Sequence, residues 1–352
     1  MKFTRRHFIK NSLFLGSSLL LSSLPLHARQ EKEIRWIPAY EKLEMEGKLA
    51  QRIKQAYAIF ENCQLCPRQC GVNRRRGEKG FCRTPVKPVI FSYHPHFGEE
   101  ISLVGERGSG TIFLSNCNLR CVFCQNWPIA HEGKGREVQD EDLADMMLRL
   151  QKIGCHNINL VTPTHVMPNV INAVQIALRK GGLRLPLMYN TSGYERVEIL
   201  KILDGVVDIY KPDMKYMDAD KAAKYSAGAS DYPEVTKKAI VEMHRQVGVL
   251  TLDQRGIATR GVIIRHLVMP NRVAGTEKFV KWVAEVVPKS TYVNIMAQYR
   301  VEYKAYDYPE IARGITVQEF LEAMDWAEKY GLTNLDPQSI ALRNFYRHRR
   351  SN

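Results

Sequence analysis

No apolar run in this chain reaches 18 residues, so nothing in its 352 positions reads as a full membrane-spanning helix. Internal repeats and low-complexity tracts are absent too, which excludes a solenoid and a long disordered linker. Acidic residues are missing from the first 28 positions, which carry Lys2, Arg5, Arg6 and Lys10. Concentrated basic charge is also scarce. The formal net charge is +14, a surplus that favours acidic partners, membrane surfaces or nucleic acid. Its charges are scattered, however, and the densest patches are only Arg74–Arg76 and the tail at 343–350. A nucleic-acid partner is therefore not indicated. What remains is ordinary globular material, 45% hydrophobic and 25% charged, long enough for one large domain or two modest ones.

Positions 4–10 read TRRHFIK and precede an apolar stretch at 13–26. That stretch is too short to span a bilayer comfortably but suits a signal peptide, with Leu26-His27-Ala28 as a cleavage site. The segment resembles a twin-arginine signal, which implies export to the periplasm or a membrane anchor, usually after folding around a cofactor. The alternative is a cytoplasmic protein with a frayed N-terminal helix.

Eight cysteines fall into two groups and one remainder. Cys63, Cys66, Cys70 and Cys82 are spaced C-x2-C-x3-C-x11-C; Cys117, Cys121 and Cys124 are spaced C-x3-C-x2-C; Cys155 stands alone. Close spacings of this kind converge thiolates on one point, as a metal requires, and a chain of this size does not need disulfide staples. Four thiolates close a site completely, which fits structural zinc or a second iron–sulfur cluster that relays electrons. Three thiolates leave one corner of a [4Fe–4S] cluster without a protein ligand, and an open position marks a reactive centre. The three-cysteine loop also follows a strand-like run at 111–115, which places it at the carboxyl end of a strand. Cys155 reads as a small buried residue.

Beyond Cys124 the chain alternates helical and strand-like segments. Apolar residues recur at helical spacing in Leu143, Met146, Met147 and Leu150, and again around Ala239–Val247, Phe279–Val287 and Val317–Met324, with shorter candidates at 168–180 and 195–203. Apolar runs at 158–161, 187–190, 206–210, 262–268 and 293–296 join 111–115 as six strands. Strict alternation predicts a parallel sheet with right-handed crossovers, an α/β fold built as a partial (β/α)6 TIM-like barrel behind an N-terminal cysteine-rich extension. A helix is expected over 43–60, ahead of the four cysteines. The organisation that follows is a signal at 1–28, a helix and four-cysteine extension at 29–105, the barrel at 106–305, and a C-terminal helix with a basic tail at 306–352.

Barrel chemistry sits at the carboxyl ends of strands. Those ends carry Thr162-Pro163-Thr164-His165, then Asn190 to Gly193, then Lys211, Asp213 and Lys215, then Arg265 and His266, then Gln298 and Arg300. The loop SNCNLRCVFCQN resembles the cluster loop of the radical S-adenosylmethionine (SAM) superfamily. NTSG at 190–193, DIYKPDMKY at 208–216 and RHLVMP at 265–270 are similar to elements of pyruvate formate-lyase activating enzymes. The resemblance implies a cluster on Cys117, Cys121 and Cys124 whose open iron binds S-adenosylmethionine. It further implies cosubstrate contacts from Asn190, Asp213, Lys215 and Arg265. The Gly-Gly-Glu usual after the second strand is replaced by TPTH, which makes Thr162, Thr164, the carbonyls around Pro163 and His165 the candidates for the ammonium. By the same resemblance, a 5′-deoxyadenosyl radical takes hydrogen from a substrate such as a glycine of a partner protein, with a small molecule or RNA as the alternatives, and a flavodoxin- or ferredoxin-type donor supplies the electron. Rival readings are a two-cluster electron carrier and a secreted, disulfide-stapled binding protein.

Overall fold

The computed structural model describes residues 36–351, so the expected signal segment lies outside the described residues. Among the described residues nine strands form the sheet: β1 Val89–His96, β2 Ser109–Leu114, β3 Arg136–Glu137, β4 Ile158–Val161, β5 Leu187–Thr191, β6 Ile209–Pro212, β7 Thr251–Leu252, β8 Ala258–Leu267 and β9 Tyr292–Met296. Six of them, β2, β4, β5, β6, β8 and β9, run parallel in that spatial order. This is the expected six-strand partial barrel. The parallel strands are buried on both faces, which explains why they read as short apolar runs rather than alternating ones.

Both margins of the parallel set are covered. At one, β1 pairs antiparallel with β2, and β3 pairs with β1. At the other, residues 334–336 bond to β9 through Val293 N–H to Asn334 O (3.0 Å) and Asp336 N–H to Val293 O (2.9 Å). Sequence periodicity did not signal β1, because its outer half alternates poorly and is only partly buried.

Helices lie where the apolar period predicts them, and their ends follow local chemistry. Asp140–Ile153 opens with a Gln139/Asp142 capping box and three acidic residues in its first turn, and stops at Gly154 with φ 98°. Val317–Lys329 opens with a Thr316/Glu319 capping box. Two expectations need correction. The helix expected over 43–60 is two helices, Ala39–Met45 and Leu49–Ala58, because Gly47 takes φ 70° between them. The fourth parallel strand begins at Ile209, not Val206. Val206 and Val207 instead bond back to Leu203 and close the turn after the helix Val197–Ile202.

The N-terminal segment is anchored along the outside of the barrel. Ala39 N–H donates to Asp208 Oδ1 (2.8 Å), whose other oxygen accepts from Leu187 N–H (3.0 Å) at the start of β5. Tyr40 donates to Leu185 O (2.8 Å). Leu49–Ala58 then runs against the helix Met167–Gly181 and delivers the four cysteines beside His165, at the carboxyl end of β4.

Candidate metal centre and cofactor cavity

The loop leaving β2 is held in a conformation it would not adopt alone. Asn116 (φ 75°) and Arg120 (φ 55°), each just before a cysteine, take the left-handed region, at a cost of roughly 1–2 kcal/mol each. The surroundings fix it. Asn116 N–H donates to Ile129 O (2.9 Å), Val122 N–H to Tyr225 O (2.9 Å), and Lys304 N–H to Val122 O (2.9 Å). The Asn118 side chain donates to Tyr194 O (2.9 Å). Phe123 is buried against Tyr216 and Tyr299, shielding the last cysteine from water.

All eight cysteines are free thiols. Leu119 N–H donates to Cys117 Sγ (3.3 Å), and the Ser226 hydroxyl donates to Cys121 Sγ (3.1 Å). Burial pushes all three thiols of the loop up, Cys121 to about 11 and Cys124 to about 12, while the Lys215 ammonium pulls each back. Metal binding must therefore displace protons, and the sulfur atoms already carry hydrogen-bond donors suited to the charged form.

These cysteines open on a cavity of about 450 Å³ at the carboxyl ends of the strands. Thr162, Asn190, Asp213, Lys215 and Arg265 line the same cavity. Four of them form one network: Arg265 Nε donates to Asp213 Oδ1 (2.8 Å), Arg265 Nη2 to Asn190 Oδ1 (2.9 Å), and Lys215 Nζ to Asp213 Oδ2 (2.7 Å). Burial raises the Asp213 carboxyl, but Arg265 and Lys215 outweigh it and hold the group at about 2. Both cations are raised in turn, because Asp213 more than offsets their own burial. Thr162 sits at φ 61°, strained for a β-branched residue, and its N–H donates to Asn190 O (2.8 Å).

Thr164 lies elsewhere. It is fully buried and donates to Glu195 Oε1 (2.5 Å), so it turns away from the cavity it was expected to line. His165 is buried too, with Nε2 against Ser115 O (2.7 Å), and it faces the four-cysteine pocket. His266 lies between Met214 O and the Thr276 hydroxyl and is a packing residue. Cys155 is buried just ahead of β4, at the opposite end of the barrel from the three-cysteine loop.

Glu99 and Glu195 were not picked out as site residues from the sequence, whereas Lys211 was read among the polar strand ends without a role. Glu99, in the bend that follows β1, lines the cavity with its carboxylate paired to Lys211 and 3.7 Å from Arg265 Nη1. It also accepts from the Asn159 amide (2.7 Å). Lys211 is fully buried between Glu99 and Glu100. Glu195 is buried beneath the loops after β4 and β5, accepting from Thr164 and Thr191, and burial pushes its carboxyl up to about 7. The sequence signal for Lys211 is its strand-end position, and that for Glu99 is the pair Glu99-Glu100 ahead of β2.

Cys63, Cys66, Cys70 and Cys82 line one small pocket together with Arg68, Arg74 and His165. Among the described residues, no three His, Cys, Asp or Glu side chains form a shell that could hold a single metal ion. The three-cysteine loop, with its hydrogen-bonded sulfurs, suits a cluster that takes each thiolate on a separate iron.

The model of the Radical SAM superfamily matches residues 111–252. The chain is 34% identical over 291 residues to the uncharacterized protein MJ0674 of Methanocaldococcus jannaschii, covering 80% of this chain and 78% of that one. The chain belongs to the radical SAM superfamily. A second protein of the same organism, the uncharacterized protein MJ0808, is 24% identical over 293 residues, covering 74% of this chain and 79% of its own. Among solved structures, a radical SAM methyltransferase from Sphaerobacter thermophilus overlays with TM-score 0.45 at 14% identity, covering 84% and 91% of the two chains. Methylornithine synthase overlays with TM-score 0.43 at 16% identity and 66% coverage of each. Membership of the radical SAM superfamily implies a [4Fe–4S] cluster and S-adenosylmethionine as cofactors and an enzymatic role. The donor set of the cavity fits both. Three thiols stand ready for iron, and the Ser192 hydroxyl in the cavity wall is buried without a partner.

Proposed function

We propose that this radical SAM enzyme abstracts hydrogen from a glycyl residue of a partner protein presented at the cavity mouth, in the manner of pyruvate formate-lyase activating enzymes. The observation that carries the reading is the meeting of Cys117, Cys121 and Cys124 with Asn190, Asp213, Lys215 and Arg265 on one cavity. When bound, the cluster and S-adenosylmethionine supply one-electron cleavage to methionine and a 5′-deoxyadenosyl radical. The chain's own residues hold the cosubstrate. Asp213 is kept anionic for ribose hydroxyls, and Lys215 and Arg265 are kept cationic for the carboxylate. Thr162 and Glu99 offer acceptors for the ammonium in place of the Gly-Gly-Glu carboxylate. Phe123 and the tyrosines around it exclude water from the reacting centre.

A small-molecule substrate is the second reading. An adjoining cavity of about 320 Å³, walled by Glu100, Asn294 and Tyr346, shares Glu99 and Arg265 with the first. The electron donor in either case is a flavodoxin- or ferredoxin-type protein. We place the mature protein outside the cytoplasm on the strength of Arg5 and Arg6.

Anaerobic incubation with S-adenosylmethionine and dithionite should yield 5′-deoxyadenosine, and Cys121→Ala should abolish it. Product persisting in that variant would misplace the cluster. Cell fractionation should find the protein exported, and Arg5→Lys with Arg6→Lys should retain it in the cytoplasm. The same distribution for both forms would retire the export reading.

A further inference from the structure

Arg74 is 2% exposed, yet among the described residues it has no carboxylate partner. Its guanidinium donates to His165 O (2.6 Å) and Pro85 O and lies 4.4 Å from the Phe60 ring, while Nε bonds to nothing. A buried cation without an anion is costly by several kcal/mol. The pocket it lines contains no acid but four thiols, and a second buried polar atom there, His165 Nδ1, is also unpartnered. The missing anion is what four thiolates around a metal centre supply.

The backbone is built for such a centre. Phe81 N–H donates to Cys70 Sγ (3.3 Å). A Cβ on Gly80 would come within 2.8 Å of the same sulfur, so only glycine lets the chain approach it. Gln69 (φ 41°) and Arg83 (φ 60°), beside Cys70 and Cys82, hold left-handed conformations, as Asn116 and Arg120 do in the cluster loop.

Two observations favour an iron–sulfur centre over structural zinc. The segment is already pinned to the barrel by Ala39, Tyr40 and the helix Leu49–Ala58, so a metal staple is not needed for its fold. It is also joined to the first cluster loop. Arg68 lines the four-cysteine pocket and donates to Asn118 O (3.1 Å), between Cys117 and Cys121, and to Ser226 O (3.1 Å), whose hydroxyl bonds Cys121. A structural ion has no use for that adjacency; a redox centre does.

We propose that Cys63, Cys66, Cys70 and Cys82 hold a second iron–sulfur centre, ligated by protein at every corner, with Arg74 as its buried counter-charge and the neighbouring cluster as its electron acceptor. The relay role rests on the reading of Cys117, Cys121 and Cys124 as the first cluster; the centre itself does not. A low-potential one-electron donor is oxidised as this centre is reduced, and the same electron then reduces the neighbour, with no bond made or broken.

The test uses the chain loaded anaerobically with ferrous iron and sulfide. Replacing Cys117, Cys121 and Cys124 together by Ala should leave roughly half of the iron and sulfide. The remaining centre should give, after dithionite, an electron-spin signal indifferent to S-adenosylmethionine. Replacing Cys63 and Cys66 by Ala should remove the other half and keep a signal that responds to it. In the triple-Ala background Arg74→Gln should shift the reduction potential negative, since a lost cation disfavours the reduced state, and Arg74→Lys should restore most of it. A triple variant holding zinc without iron, or no metal at all, overturns the proposal, and an unmoved potential in Arg74→Gln overturns the counter-charge. Iron and sulfide are counted without cosubstrate, so failure to form 5′-deoxyadenosine would not be mistaken for failure here.

Discussion

At the scale of single residues, the site is governed by one carboxylate. Asp213 is shared by Lys215 and Arg265, and Arg265 passes the order on to Asn190. Asp213→Asn keeps the shape but leaves Lys215 without its anion and Arg265 with only the longer contact to Glu99 (3.7 Å), which typically costs a few kcal/mol. S-adenosylmethionine affinity should fall about 10–100-fold, read as the cosubstrate concentration that half-converts the reduced cluster's electron-spin signal. An unchanged affinity would mean the network does not face the cosubstrate. The cysteines, Asp213, Lys215 and Arg265 were legible as candidates because strand-end position and cysteine spacing are local properties. Thr164 misled because a residue two positions beyond Thr162 can turn into the protein interior, and the buried Glu195 that draws it there lies 31 positions away.

At the scale of elements, the loops after β5 and β6 are set by close contact. Gly193 has φ 80°, and a Cβ there would stand 2.3 Å from Asp213 O and 2.6 Å from Thr236 Cγ2. Gly193→Ala must push Asp213 out of position as well as strain the turn, and should destabilise the fold by about 2–4 kcal/mol. Gly228→Ala is the control. It has φ 75° but open space around it, and should cost only the backbone term of about 1–2 kcal/mol. Urea unfolding of both variants separates the two contributions, and equal losses would show that the Asp213 contact is soft. The broken N-terminal helix belongs to the same scale. Gly47 at φ 70° makes the break, and the second of the two helices, Leu49–Ala58, runs alongside the helix Met167–Gly181.

At the scale of the whole molecule, two fully buried carboxyls make stability depend on pH. Burial raises Glu195 to about 7, partly offset by Thr164 and Thr191, and raises Asp208 to about 7 against the Leu187 and Ala39 amides. Each is protonated in the folded chain at a pH where the unfolded chain has already lost its proton. Their contribution is whole below about pH 4 and is lost as pH rises toward 7. Stability measured by denaturant should therefore decline between about pH 4 and pH 7. Glu195→Gln should flatten that decline by on the order of 3 kcal/mol and leave the share from Asp208 in place. A variant with the parent's slope would show that Glu195 ionises freely.

The sequence by itself determined the class of this protein. Cysteine spacing, the strand before the three-cysteine loop and the βα alternation after it are short-range patterns, and they specify a partial barrel with a cluster loop at its mouth. Tertiary structure decided the partnerships. Glu99 meets Lys211 across 112 positions, Arg74 meets His165 across 91, and Arg265 meets Asn190 across 75. Such pairs depend on how strands order themselves in the sheet and on where the N-terminal segment climbs the barrel, and no local pattern encodes a charge's distant partner. The three-cysteine loop could be read before the fold was known, whereas the buried cation in the four-cysteine pocket became visible only once the chain had closed around it.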